Sequence, residues 1–133
     1  MQDFRNLVVW QHARRLLGEV YELTAGYPNS EELGLKLQMR RAGVSICTNI
    51  AEGCGRHGDR EFRRFLDMAM GSACELECEI VLSHDLALIR QDTYERVVEA
   101  IVTIKRMLAT LIARLRIRGT AGAARQEPSA DRR

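Results

Sequence analysis

The sequence predicts an all-α protein, an up-down-up-down antiparallel four-helix bundle, and three observations carry that expectation. Apolar residues recur at three- and four-residue intervals through four long segments. Short stretches rich in glycine or helix-capping residues separate those segments. No stretch alternates apolar and polar residues as a half-buried strand requires. The chain of 133 residues is long enough for one domain with one core. Because 46% of residues are apolar but only 5% aromatic, that core is aliphatic, which suits helix packing.

The first helix is expected over about 4–25, where Val9, Ala13, Leu16, Val20 and Leu23 form one buried stripe. Gly26 is expected to end it in a left-handed cap before Tyr27-Pro28. Asn29 and Glu32 read as a capping box opening the second helix, about 30–53. The glycines of "GCGRHGD" break the chain, and Asp59 caps a third helix, about 60–89, carrying Phe62, Leu66, Ala69, Ala73, Leu76 and Ile80. Asp92 and Glu95 form another capping box. They open the fourth helix, about 93–118, with Val97, Ile101, Ile104, Leu108, Leu111 and Leu115 in step. Residues 119–133, "GTAGAARQEPSADRR", lack apolar periodicity and are expected to be a disordered tail.

The second helix stands apart because it has two apolar stripes. Leu33, Leu37, Val44 and Ala51 are assigned to the bundle core, while Leu35, Met39, Ala42, Ile46 and Ile50 point elsewhere. A second apolar stripe needs a partner, so the latter five are the expected interface of a homo-oligomer. Between the stripes run polar residues. Arg40, Arg41, Ser45, Asn49 and Glu52, with Glu75 of the third helix, are expected to form a structural polar network. An antiparallel register about the turn near Arg56–Gly58 sets Arg40 opposite Glu75. Direct ligand contact by the same residues is the other reading.

Three matching stretches, "LVVWQHARRLLGEVYELT", "LQMRRAGVSICTNIAEGCGR" and "EFRRFLDMAMGSACELECEI", resemble the family of four-helix-bundle proteins associated with intervening sequences in bacterial 23S ribosomal RNA genes. The resemblance covers the first three helices. It implies a left-handed bundle assembled as a homopentamer and associated with nucleic acid. A more distant similarity, to accessory proteins of diversity-generating retroelements, implies a reverse transcriptase as protein partner. The family motif maps onto Arg40, Arg41, Ser45, Asn49, Glu52, Gly53, Arg56, Glu61, Phe62, Gly71, Ser72, Glu75 and Glu77. Cys47 stands where the family commonly has proline, and Gly43 where it commonly has alanine.

Catalytic and metal chemistry find little footing. Cys47/Cys54 and Cys74/Cys78 each share a helix face, but the register separates the pairs by about 10 Å along the axis, too far for one tetrahedral ion. The cysteines are therefore expected to be small buried hydrophobes in a reducing compartment. A di-iron carboxylate bundle needs Glu-x-x-His pairs, whereas Glu79 and His84 are five apart. His12, His57 and His84 lie in separate places, and "EGCGRHGD" follows a helix rather than a strand, so it is not a phosphate-binding glycine loop. No metal, no cofactor and no reaction are expected. With no long apolar run and no cleavable leader, the expected location is the cytoplasm, away from membranes.

Charge is informative only by position, because the formal net charge is +2. Of the 20 basic residues, 18 are Arg, which fits bidentate contacts to phosphate, although Arg-favouring codon usage accounts for it equally. Threading the bundle brings the amino terminus, the turn between helices 2 and 3 and the end of helix 4 together. That end collects Arg56, Arg60, Arg63, Arg64, Arg114, Arg116 and Arg118, the candidate nucleic-acid-binding residues. With few aromatics beside them, they are expected to contact RNA or DNA phosphates rather than bases. The rival reading is a protein-interaction scaffold for a partner such as a reverse transcriptase; an enzyme is the least supported.

Overall fold

The computed structural model describes residues 2–31 and 34–126, with side chains through Thr120. Four α-helices follow one another: α1 Val8–Thr24, α2 Leu35–Cys54, α3 Asp59–Asp85 and α4 Gln91–Gln126. Each packs on its neighbours in chain order and α4 returns to α1, whereas the diagonal pairs α1/α3 and α2/α4 do not approach. That is the square, antiparallel bundle the periodicity predicts. Its axis is filled by the expected stripes of α1, α3 and α4, including Leu16, Leu66, Leu76, Ile80, Ile101 and Leu108, all almost fully buried.

The ends of the helices differ from expectation in ways that local bonding explains. Before α1, the Asp3 carboxylate accepts a 3.0 Å bond from the Arg5 amide and caps a 3-10 turn, Phe4–Asn6. Leu7 is then extended, so the α-helix begins at Val8 rather than Phe4. Gly26 is not left-handed: among the described residues positive φ occurs only at Gly58 and Ala87. Asn29 opens a separate 3-10 turn, Asn29–Glu31, instead of α2. The cap of α2 is the Glu31 carboxylate, which accepts from the Leu35 amide at 3.0 Å; the expected partner Glu32 and the stripe residue Leu33 lie outside the described residues.

Gly58, with φ of 82°, turns the chain between α2 and α3, so Asp59 is the first helical residue rather than the cap. Just before that turn α2 and α3 come closest. A Cβ built on Gly53 would lie 3.0 Å from both Phe62 Cδ1 and Phe65 Cβ. α3 ends at Asp85 in a Schellman motif: the Leu88 amide donates to Ser83 O at 2.9 Å and the Ala87 amide to His84 O at 3.0 Å, with Ala87 left-handed. α4 outruns its expected end. Residues 119–126 are helical because each residue added to a nucleated helix gains a backbone bond, and alanines favour it despite Gly119. The rest of the expected tail, 127–133, lies outside the described residues.

The largest correction concerns α2. Met39, Ala42, Ile46 and Ile50 are at most 3% exposed within a single chain, and half-buried Leu35 packs on the same cluster. These five residues therefore belong to the bundle core and are not a face offered to a second copy. Leu37, Val44 and Ala51, assigned to the core, look outward instead, with Val44 38% exposed. The reason is stripe density. Met39-Ala42-Ile46-Ile50 places an apolar residue on nearly every turn and is flanked by Gly43, Cys47 and Gly53, so it buries more apolar area per turn.

Candidate nucleic-acid interface

The arginines collected at one end divide by their partners. Arg56 pairs with Glu52 at 2.6 Å, Arg64 with Glu61 at 3.2 Å and Arg118 with Asp59 at 3.2 Å. The hydrogen bond from Arg64, helped by the nearby charges of Arg56 and Arg60, holds the Glu61 carboxyl below its ordinary range. Arg56 and Arg64 also lie over the Phe65 ring, at 5.0 and 4.6 Å from its centroid. These three arginines are thus largely neutralised within the chain.

Arg60, Arg63 and Arg116 have no carboxylate within ion-pair distance among the described residues, and they line one cleft of about 380 Å³ with Leu115, Gly119 and Thr120. The cleft exists because α4 continues past Leu115 and carries Arg116 alongside the first turns of α3. Arg60 and Arg63 also border an adjoining cleft with Glu61, Arg64 and Asp67. Arg114 is elsewhere. It lines a groove of about 430 Å³ between the start of α1 and α4, with Leu7, Val8, Met107, Leu111 and Arg106, a basic residue not anticipated from the sequence. Two aromatics stand near the amino terminus: Phe4 and Trp10 meet edge to face at 4.9 Å, with Arg5 and Arg14 over their rings.

The expected polar network is split by the fold. Ser45 and Asn49 do form a cluster, with Ser45 Oγ 2.8 Å from Ser72 Oγ and Asn49 Nδ2 donating to Ser45 O and Oγ at 2.9 and 3.0 Å. This link sets Ser45 level with Ser72, two residues away from the expected register. Arg40 does not reach Glu75. It turns to α1, donating to Thr24 Oγ1 at 2.9 Å and Tyr21 O at 3.2 Å while stacking 4.2 Å from the Tyr21 ring centroid. Glu52 serves Arg56, and Arg41 and Glu75 are exposed, with no ion-pair partner among the described residues. A guanidinium is drawn to the nearest carbonyl, hydroxyl and ring that together satisfy its planar fork, and α1 supplies all three.

The titratable interior holds a group whose burial the sequence did not reveal, although the expected register set it opposite Lys36. Glu79 is only 7% exposed and its Oε1 has no partner among the described residues. Burial first, then the neighbouring Glu75 charge, pushes its carboxyl up to about 7. The cysteines are all free, but only Cys47 and Cys54 are buried; Cys74 and Cys78 are exposed on the outside of α3, contrary to the expectation for all four. Burial raises the Cys47 thiol to about 11 and the Cys54 thiol above its ordinary value, which keeps both protonated. Among the described residues no three His, Cys, Asp or Glu side chains gather as a metal site, and no helix is long and apolar enough to cross a membrane.

The fold is shared with known proteins. The family described as 23S rRNA-intervening sequence protein matches residues 5–110, from the turn before α1 to well within α4. The chain belongs to that family. The fold of the chain is also similar to the crystal structure, at 1.70 Å, of a protein of unknown function from the S23 ribosomal protein family of Bacteroides thetaiotaomicron VPI-5482. The TM-score is 0.74 at 24% identity, over 79% of this chain and 98% of the other. No curated protein matches the chain.

Proposed function

We propose that this family member is a non-enzymatic, self-assembling cytoplasmic bundle that binds RNA or DNA by its phosphates. The observation that carries the reading is the cleft in which Arg60, Arg63 and Arg116 converge with no carboxylate within ion-pair distance among the described residues. A guanidinium fork matches a phosphate, and three of them around one cleft follow a sugar-phosphate backbone without reading bases. Assembly multiplies the cluster by the number of copies, five in the pentamer implied by the family resemblance. The test is a binding titration with single- and double-stranded RNA and DNA at two salt concentrations. Affinity falls with a log–log slope of about −2 to −3 per copy engaged. The Arg60→Glu, Arg63→Glu variant loses binding while keeping its oligomeric state. Salt-insensitive binding, or binding unchanged in that variant, refutes the reading.

A second reading, docking of a protein such as a reverse transcriptase, is favoured by the groove at Leu7, Val8, Met107 and Leu111. Val8 is 55% exposed there, between Arg106 and Arg114. Co-purification with a neighbouring reverse-transcriptase gene product, lost in Val8→Asp, supports that alternative.

A further inference from the structure

The outward side of α2 carries Arg40 and Arg41, with no ion-pair partner among the described residues, beside exposed apolar surface. Tyr21, Leu37, Arg40, Arg41 and Val44, with Ser45 and Thr48, line a groove of about 470 Å³. Tyr21 is 44% and Val44 38% exposed. Arg40 is already oriented there by Thr24 and Tyr21, and neither it nor Arg41 has a carboxylate within ion-pair distance among the described residues. A phosphate would satisfy the charges but leave Leu37, Val44 and the Tyr21 ring wet. A protein surface alternating carboxylates with apolar side chains covers both.

The same chain presents such a surface on the outside of α3. Met68 and Leu82 are each 46% exposed, Cys78 is exposed between them, and Glu75 has no ion-pair partner among the described residues. Gly71 belongs to this strip, and a Cβ added to it meets nothing within 4 Å. The four residues Gly71, Glu75, Cys78 and Leu82 recur at three- and four-residue spacing, so they share one face.

Resting on the self-assembly part of the proposed function, we infer that the α2 groove of one copy receives the outer α3 strip of a second copy, with Arg41 paired to Glu75. Symmetry supplies the register. The Ser45–Ser72 contact at 2.8 Å fixes which residues of α2 and α3 stand at equal height in one chain. In any cyclic assembly whose axis runs along the bundle, neighbouring copies stand at equal height, and α2 of one lies antiparallel to α3 of the next. Counting from Ser45–Ser72 at about 1.5 Å per residue, Arg41 then falls within one residue of Glu75. Leu37 comes level with the Cys78–Leu82 stretch, Val44 with Gly71–Cys74, and Thr48 with Met68. Cation meets anion, and Leu37 and Val44 come level with apolar or small residues, without adjustment of height. The incoming guanidinium also offsets the Glu75 charge, one of the two causes that raise Glu79.

Size exclusion with light scattering on the full chain, over a tenfold range of protomer concentration, tests the pairing. Arg41→Glu and Glu75→Arg each weaken association at least tenfold, and Arg41→Glu combined with Glu75→Arg restores it; circular dichroism checks that each variant stays folded. As a second probe, Val44→Cys forms an inter-copy disulfide with Cys74 under mild oxidation. If the native chain is monomeric throughout, self-assembly itself is wrong. If it is oligomeric but unaffected by either charge reversal, or the double reversal does not restore association, this interface is wrong while assembly stands. If Arg41→Glu abolishes nucleic-acid binding and leaves assembly intact, the groove is a phosphate site and the inference is overturned.

Discussion

Replacing Glu79 by glutamine isolates the cost of a buried ionisable group. The carboxyl titrates near 7 in the folded chain, against about 4.3 for a free glutamate, so the folded state holds its proton more tightly than the unfolded state. Below the unfolded value both states are protonated and the group costs nothing. As pH rises toward 7 the unfolded chain ionises freely while the folded chain cannot, and stability falls until the folded carboxyl also ionises. At about 1.36 kcal/mol per pH unit, the loss is about 0.5 kcal/mol at pH 4.5 and reaches an upper bound of about 3.5 kcal/mol at pH 8. Relaxation around the charge reduces the latter to about 1–3 kcal/mol. Urea denaturation at fixed protomer concentration, at both pH values, measures this. Glu79→Gln is expected to be near neutral at pH 4.5 and stabilising by about 1–3 kcal/mol at pH 8. An effect of equal size at both pH values would show that packing or a hydrogen bond, not ionisation, sets the energetics at this position. Glu75→Gln removes the smaller of the two causes and is expected to stabilise at pH 8 in the same assay, by less than Glu79→Gln.

Further outcomes follow from backbone geometry and burial. Gly53→Ala drives a methyl into Phe62 and Phe65 and is expected to destabilise by about 1–3 kcal/mol in the same assay. Gly43→Ala meets only the tip of Leu17, at 3.0 Å, so a small shift offsets a helix-propensity gain of about 1 kcal/mol and stability stays within about 1 kcal/mol of the native chain. Ala87→Gly relieves a left-handed residue at the end of α3 and is expected to raise stability by about 0.5–1 kcal/mol. Arg40→Lys keeps the charge but not the planar fork on Thr24 and Tyr21, and is expected to lower stability by about 1 kcal/mol. Cys47 and Cys54 are expected to stay unreactive toward a thiol reagent at pH 8 until the chain unfolds, since both are buried with raised pKa values.

Periodicity by itself determined the class of this protein. A helix that must hide one stripe repeats its apolar residues every three or four positions, and α1, α3 and α4 do so with little competition from a second stripe. The break at Gly53–Gly58 was equally legible, since glycines at that density end any helix. The ends were less so: Glu31 capping Leu35 and Ala87 adopting a left-handed turn each depend on where a neighbouring side chain or carbonyl comes to lie. Only tertiary structure decided which stripe of α2 is the core, because both are helical in period and the choice rests on how much area each buries against three other helices. It also decided which arginines are available. Charge clusters at one end of the sequence's bundle, but carboxylates within ångströms pair Arg56, Arg64 and Arg118, whereas Arg60, Arg63 and Arg116 have none within ion-pair distance among the described residues. An ion pair is a matter of distance in space, which spacing along a chain does not specify.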